Sequence, residues 1–191
     1  MAATKHAQTI KQDSQDYLAT ALLALLETHD LTDLTVTQVV KRAGVSRMAF
    51  YRNFDTLDAV LTTHFAPIMA VGFADVLAHA PEDQKLAALG TFFTKLGPTL
   101  RLAVDRGFEP VFQNLFDDNM QHFYAVTMTW KGATPTQQKY WTQFMSAGVY
   151  RLWREWLLGG QQESLTTMHD LLAAFQTGTM TALMALANPT T

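Results

Sequence analysis

Residues 35–54 read TVTQVVKRAGVSRMAFYRNF. Thr35-Val36-Thr37-Gln38 has the spacing of a capping box, in which the Thr35 hydroxyl accepts from the backbone N–H of Gln38 and the Gln38 side chain reaches back. A short helix is expected from there to Ala43. Gly44 ends it, because glycine enters the left-handed conformation without a Cβ penalty. Ser46 is placed to cap a second short helix over about 47–53. Two short helices joined by Gly44-Val45-Ser46 have the length and punctuation of a helix-turn-helix. Val36, Val39, Val40, Ala43, Val45, Ala49, Phe50 and Phe54 can form its inner face, which leaves Lys41, Arg42, Arg47, Tyr51, Arg52 and Asn53 facing outward.

Charge sharpens this reading. The 191 residues carry 14 Lys and Arg against 17 Asp and Glu, a net charge of −3, which taken alone argues against a nucleic-acid partner. Its distribution says otherwise. Residues 39–54 contain four basic side chains and no acidic one, so the rest of the chain carries −7. Each Lys or Arg that neutralises a phosphate adds a salt-sensitive, sequence-independent share of affinity.

Outside the motif the pattern is helical nearly everywhere, and no segment alternates with period two. Leu18, Ala21, Leu22, Leu25 and Leu26 predict an amphipathic first helix over about 9–28. Leu57, Val60, Leu61, His64, Phe65 and Ile68 form one stripe of a long helix that opens at Asp55-Thr56 and extends to about His79. Further helices are expected over 82–96, after a break at Gly97-Pro98, over 109–130, over 136–158, where Trp141, Phe144, Met145, Gly148, Val149, Leu152 and Trp156 at 3–4 spacing form one stripe, and after a Ser164 cap. Lys131 to Pro135 reads as a loop. The fold class is all-α: a tri-helical helix-turn-helix domain over 1–55, a connecting helix over about 56–79, and a larger helical domain over 80–191.

Several function classes drop out. With no cysteine there is no disulfide scaffold, thiolate metal site or Cys nucleophile, and a reducing, cytoplasmic setting fits. No signal peptide is visible, and no cofactor motif. Leu171 to Thr191 lacks charge, but Gln176, Thr177, Gly178, Thr179 and Thr181 interrupt it, so a helix buried against protein is expected there rather than a membrane span. Asp118 and His122, four apart on one helix face, are the most enzyme-like pair; a solvated face is the expected reading. No catalytic residues and no metal ligands are assigned.

The run AGVSRMAFYRNF resembles the recognition segment of TetR-family transcriptional regulators, a helix-turn-helix ending in S-x-x-x-F-Y-x-x-F. The motif resemblance spans about residues 10–65; beyond it the likeness is one of architecture. It implies a homodimer that binds palindromic double-stranded DNA and responds to a small-molecule effector, most simply as a repressor. Carried onto this chain, it implies that Thr37 touches phosphate or a base edge and that Ser46, Arg47, Met48 and Ala49 open the recognition helix, with Tyr51 and Asn53 meeting the DNA backbone. Arg47 can be bidentate to guanine, while Met48 and Ala49 suit a thymine methyl. Lys41 and Arg52 read as phosphate contacts. Leu57 stands where the family commonly has lysine, which shifts weight to Lys5 and Lys11. The other reading is an all-α small-molecule-binding protein or metal-dependent enzyme that keeps the helix-turn-helix only as scaffold.

Of the 21 aromatic residues, 16 lie after residue 66, as do 7 of the 9 methionines. The resemblance implies that part of this surplus lines an effector pocket, with Phe92, Phe93, Phe112, Phe116, Phe123, Trp130 and Trp141 as candidates; ordinary core is the competing reading. For the dimer interface, Gly148, Leu152 and Trp156 with Met168, Leu172 and Phe175 are expected to build a four-helix bundle from two subunits.

Overall fold

The computed structural model describes residues 2–130 and 132–187. It contains eight α-helices among the described residues and no strand: α1 Ala2–Leu26, α2 Val36–Ala43, α3 Arg47–Asn53, α4 Leu57–His79, α5 Lys85–Asp105, α6 Glu109–Thr127, α7 Pro135–Leu158 and α8 Leu165–Ala187. The chain is therefore all-α. It divides into two compact units, Met1–Ile68 with Thr99–Phe112, and Met69–Pro98 with Gln113–Thr191.

The helix ends follow local chemistry. Thr35 N–H donates to Gln38 Oε1 at 2.8 Å and Gln38 N–H to Thr35 Oγ1 at 3.3 Å, completing the expected box. Gly44 has φ +70° and closes α2 by donating to the Val40 carbonyl. Ser46 Oγ accepts from Ala49 N–H at 3.0 Å, Thr56 Oγ1 from Ala59 N–H at 3.1 Å and Ser164 Oγ from Thr167 N–H at 3.0 Å. A second capping box, Thr134 with Gln137, opens α7 inside the stretch Lys131 to Pro135, whose composition is that of a loop. Lys131 within it lies outside the described residues.

In the first unit, α2 and α3 both pack on α1. Leu18, Leu22, Leu26, Val39, Phe50, Leu61 and Phe108 have essentially no exposed surface. Phe65 sits 4.7 Å from the Phe112 ring and 6.4 Å from Phe108. Arg106 straps the turn after α1: its guanidinium donates to Asp30 Oδ1 at 3.2 Å and to the Glu27 carbonyl at 3.1 Å, and its own carbonyl accepts from Leu31 N–H at 2.8 Å.

In the second unit, Phe73 meets Phe92, Phe93, Phe116 and Phe123 edge-on, with centroids 6.0–6.3 Å apart. Such pairs add to the area they bury. Gly90 lies under Trp153 so closely that a Cβ there would stand 2.3 Å from the indole. Trp141 Nε1 donates to Thr179 Oγ1 at 3.1 Å and Trp156 Nε1 to the Glu163 carbonyl at 2.9 Å, tying α7 and its following turn to α8 and the turn before it.

Two expectations are corrected. Gly97-Pro98 does not end a helix, since α5 runs through both. Proline removes one intrahelical donor and disfavours helix for a preceding residue with a Cβ. Gly97 has no Cβ, and Pro98 is exposed, so the freed Thr94 carbonyl can turn to water. Second, α7 buries Trp141, Met145, Ser146, Val149, Tyr150, Trp153, Trp156 and Leu157, while Phe144 is 65% exposed and Gly148 is exposed. The expected single stripe is thus two adjacent faces. Among the described residues, α4 alone is long and apolar enough to cross a membrane by length and composition; one third of that window is buried. The last four residues of the uncharged stretch, 188–191, lie outside the described residues.

Candidate nucleic-acid interface

Buried Phe50 and Phe54 orient α3. Phe50 is fully buried, Phe54 nearly so, and their rings are 6.0 Å apart. With that side of α3 fixed inward, Arg47, Met48, Tyr51 and Arg52 fall on the open side: all four are exposed, Met48 by 73% and Tyr51 by 51%. Tyr51 rests one edge against the Phe50 ring, centroids 5.2 Å apart, and leaves the rest of its surface open beside exposed Met48 and two arginines. On α2, Thr37, Lys41 and Arg42 are exposed as well. No acidic side chain lies between Thr35 and Phe54.

The two helices are joined across the turn by their side chains. Arg47 Nη1 donates to Thr37 Oγ1 at 3.4 Å, and its guanidinium carbon lies 5.9 Å from the Tyr51 ring centroid. Both contacts are long and solvent-exposed, so each contributes little to stability. Their effect is on direction: the guanidinium is held over the outer surface of α3, and Thr37 is brought into the same patch. This link spans ten positions and has no periodic signature. Arg42 joins the patch too; its signal was the Lys41-Arg42 doublet.

Not every expected contact faces outward. Asn53 is half-buried: its Nδ2 donates to the Ala49 carbonyl at 2.7 Å, and its Oδ1 is shielded with no donor among the described residues. Ala49 is half-buried, and the Ser46 hydroxyl is engaged as the cap of α3. Lys11 on α1 is exposed, whereas the Lys5 side chain lies outside the described residues.

The aromatic candidates do not converge on one cavity. Phe112 belongs to the first unit, against Phe65. Phe93, Phe116, Phe123 and Trp141 are buried among other rings of the second. Phe92 borders a cleft of about 510 Å³ between α4 and α5, and Trp130 one of about 460 Å³ between α6 and α7. Among the dimer candidates, Trp156, Met168 and Leu172 are buried within this chain, Leu152 is half-buried, and Gly148 and Phe175 are exposed. Asp118 and His122 are both exposed on α6, and no group of three His, Cys, Asp or Glu side chains gathers to hold a metal among the described residues. Next to them, burial raises the Asp117 pKa, with a smaller push from the Asp118 charge. Burial also raises that of the Tyr124 phenol.

No family model matches the chain, and no curated relative matches it by sequence. Solved structures resemble it in fold. The dihydroxyacetone kinase operon activator DhaS is 13% identical, with a TM-score of 0.51 over 89% of this chain and 97% of that one. The fatty acid degradation regulator FadR from Bacillus halodurans is 17% identical, with a TM-score of 0.51 over 83% of this chain and 94% of that one. At such identities the likeness is one of fold.

Proposed function

We propose that this chain is a homodimeric DNA-binding transcription regulator of the TetR type, a repressor released by a small molecule. The observation that carries the reading is the exposed, acid-free face formed by Thr37, Lys41, Arg42, Arg47, Met48, Tyr51 and Arg52 on two properly capped short helices. Arg47 supplies bidentate recognition of guanine, Met48 contact with a thymine methyl, and Lys41 and Arg52 charge toward phosphates. The helix-turn-helix domain over 1–55 reads DNA, and the part over 80–191 holds effector and partner.

A twofold dimer provides two recognition helices at the roughly 34 Å repeat of successive major grooves, or a multiple of it. For its interface, α7 and α8 offer exposed apolar side chains: Tyr140, Phe144, Leu171 and Phe175 are 61, 65, 41 and 50% exposed. A surface of that kind marks an association site. Gly148, Ala147, Ala174 and Gly178, all exposed on the same two helices, permit close approach of a second copy. Release then requires that the effector bind more tightly to one spacing of the two recognition helices than to the other.

Selection of bound duplexes from a randomised pool, followed by fluorescence anisotropy at several salt concentrations, tests the reading. A palindromic consensus bound with a steep salt dependence is the expected result. Failure to enrich any sequence, together with absence of salt-sensitive binding, overturns it.

A further inference from the structure

A smaller cleft in the second unit, about 170 Å³, is bounded by the 82–84 turn, the start of α5, the end of α6 and the inner side of α8. That is several times the roughly 30 Å³ one water occupies in the liquid. Its polar groups are arranged unusually. The Lys85 side chain is only 8% exposed, yet its ion-pair partner Glu82 is 79% exposed. A buried ammonium needs acceptors, and here the acceptor comes from a carboxylate that stands largely in water. Across the cleft, Gln176 Nε2 makes only a 3.5 Å contact with Met128 Sδ, a weak acceptor. Gln176 Oε1 is shielded from solvent and meets no donor among the described residues. Leu86, Phe123, Met128 and Ala173 complete the lining. The other charged or titratable groups facing the cleft are Asp83 and His169, the latter 3.6 Å from Asp170.

We propose that this cleft binds a small carboxylate carrying an O–H or N–H donor on a short apolar body, its carboxylate taking Lys85 from Glu82 and its donor meeting Gln176 Oε1. Glu82 is the natural placeholder. Its carboxylate is largely solvated already, so Glu82 gives up little by leaving, and the incoming anion keeps the buried ammonium paired. The incoming carboxylate meets an ammonium that is itself nearly buried, which strengthens the charge-assisted hydrogen bond between them. A donor on the ligand satisfies the orphaned amide oxygen, and a molecule without one leaves it unsatisfied. Only the identification of this ligand as the effector rests on the regulator reading; the binding itself does not.

Calorimetric titration of the full chain, without DNA, with hydroxyisocaproate, isocaproate and hydroxyisocaproamide tests the proposal. Hydroxyisocaproate binds tightest. Lys85→Met weakens it by about tenfold or more, as loss of a charge-assisted hydrogen bond requires. Glu82→Gln, at an exposed side chain, tightens it by about two- to fivefold through removal of the competitor. Gln176→Leu abolishes the preference for hydroxyisocaproate over isocaproate. Should Lys85→Met lose its cooperative thermal transition, the Glu82→Gln and Gln176→Leu shifts decide the matter. No heat of binding at millimolar ligand, equal affinity for the amide, or an affinity untouched by Glu82→Gln each overturns the proposal. Because DNA is absent, either outcome is separate from success or failure of operator binding.

Discussion

Replacing Arg47 with alanine separates base reading from charge. In the free protein its contacts are one 3.4 Å hydrogen bond to Thr37 and a 5.9 Å approach to the Tyr51 ring, both at the surface. Their loss changes folding stability by less than about 1 kcal/mol. Any larger effect on DNA binding therefore belongs to the interface. A bidentate arginine–guanine pair is worth about 1–3 kcal/mol of discrimination, or about 5- to 150-fold. Arg52 on the same helix lacks such a role, and its removal reduces the salt slope by about one phosphate's share, roughly 0.9. The assay is anisotropy with the selected duplex and a scrambled one, each at several salt concentrations. Arg47→Ala lowers the ratio of the two affinities by the factor above, and Arg52→Ala lowers both affinities alike with the ratio intact. If Arg47→Ala leaves the ratio unchanged, the assignment of Arg47 to base reading is refuted.

Gly90→Ala places a Cβ against Trp153, whose rigid ring is itself buried, and destabilises the protein by about 1–3 kcal/mol in urea unfolding; unchanged stability refutes the close packing. Arg106→Ala removes the strap on the turn after α1 and costs about 1.5–3 kcal/mol by the same measurement, the range for hydrogen bonds to a charged group. Asp117 has its pKa raised by burial, so the folded state favours its protonated form, and the stability this lends is present below its usual 3.8 and lost as pH rises through the shifted value. Asp117→Asn accordingly raises the thermal midpoint at neutral pH, with a gain that shrinks as pH falls toward 4; a gain independent of pH refutes the assignment. Phe175→Glu puts a charge on the exposed side of α8 and converts the proposed dimer to monomer in sedimentation velocity, with thermal stability little changed. A chain that is monomeric before substitution removes that interface.

How much was legible beforehand depended on how local the determinant was. Thr35 with Gln38, Gly44, and Ser46 act within four residues, so α2, its stop and α3 were readable as written. Phe50 and Phe54 fixed which side of α3 faces out, because the two phenylalanines, four residues apart, share one side of that short helix. On α7 the same logic failed. Tyr140, Phe144 and Gly148 repeat every four residues, and so do Trp141, Met145 and Val149 one step round. Periodicity cannot rank two adjacent apolar faces; only the neighbours that bury one of them can. Pro98 misled for a related reason: its effect depends on whether the carbonyl it frees meets solvent. Arg47 with Thr37, Arg106 with Asp30, and Lys85 across from Gln176 join residues far apart in sequence, and no spacing rule reaches them.

The composition of the first unit sets an order of events during synthesis. Its helix-turn-helix is complete by residue 54, but Phe108 and Phe112, which cover Phe65, and Arg106, which holds the turn after α1, come later in the chain. At about 5–20 residues per second, the stretch between residue 68 and residue 112 takes a few seconds to leave the ribosome. During that interval α1 to α3 exist while Phe65 lacks the rings that cover it and the turn after α1 lacks its strap. A nascent chain halted before residue 106 is therefore more open to protease than one halted after residue 112 and its exit-tunnel length, even though both contain every side chain assigned to DNA.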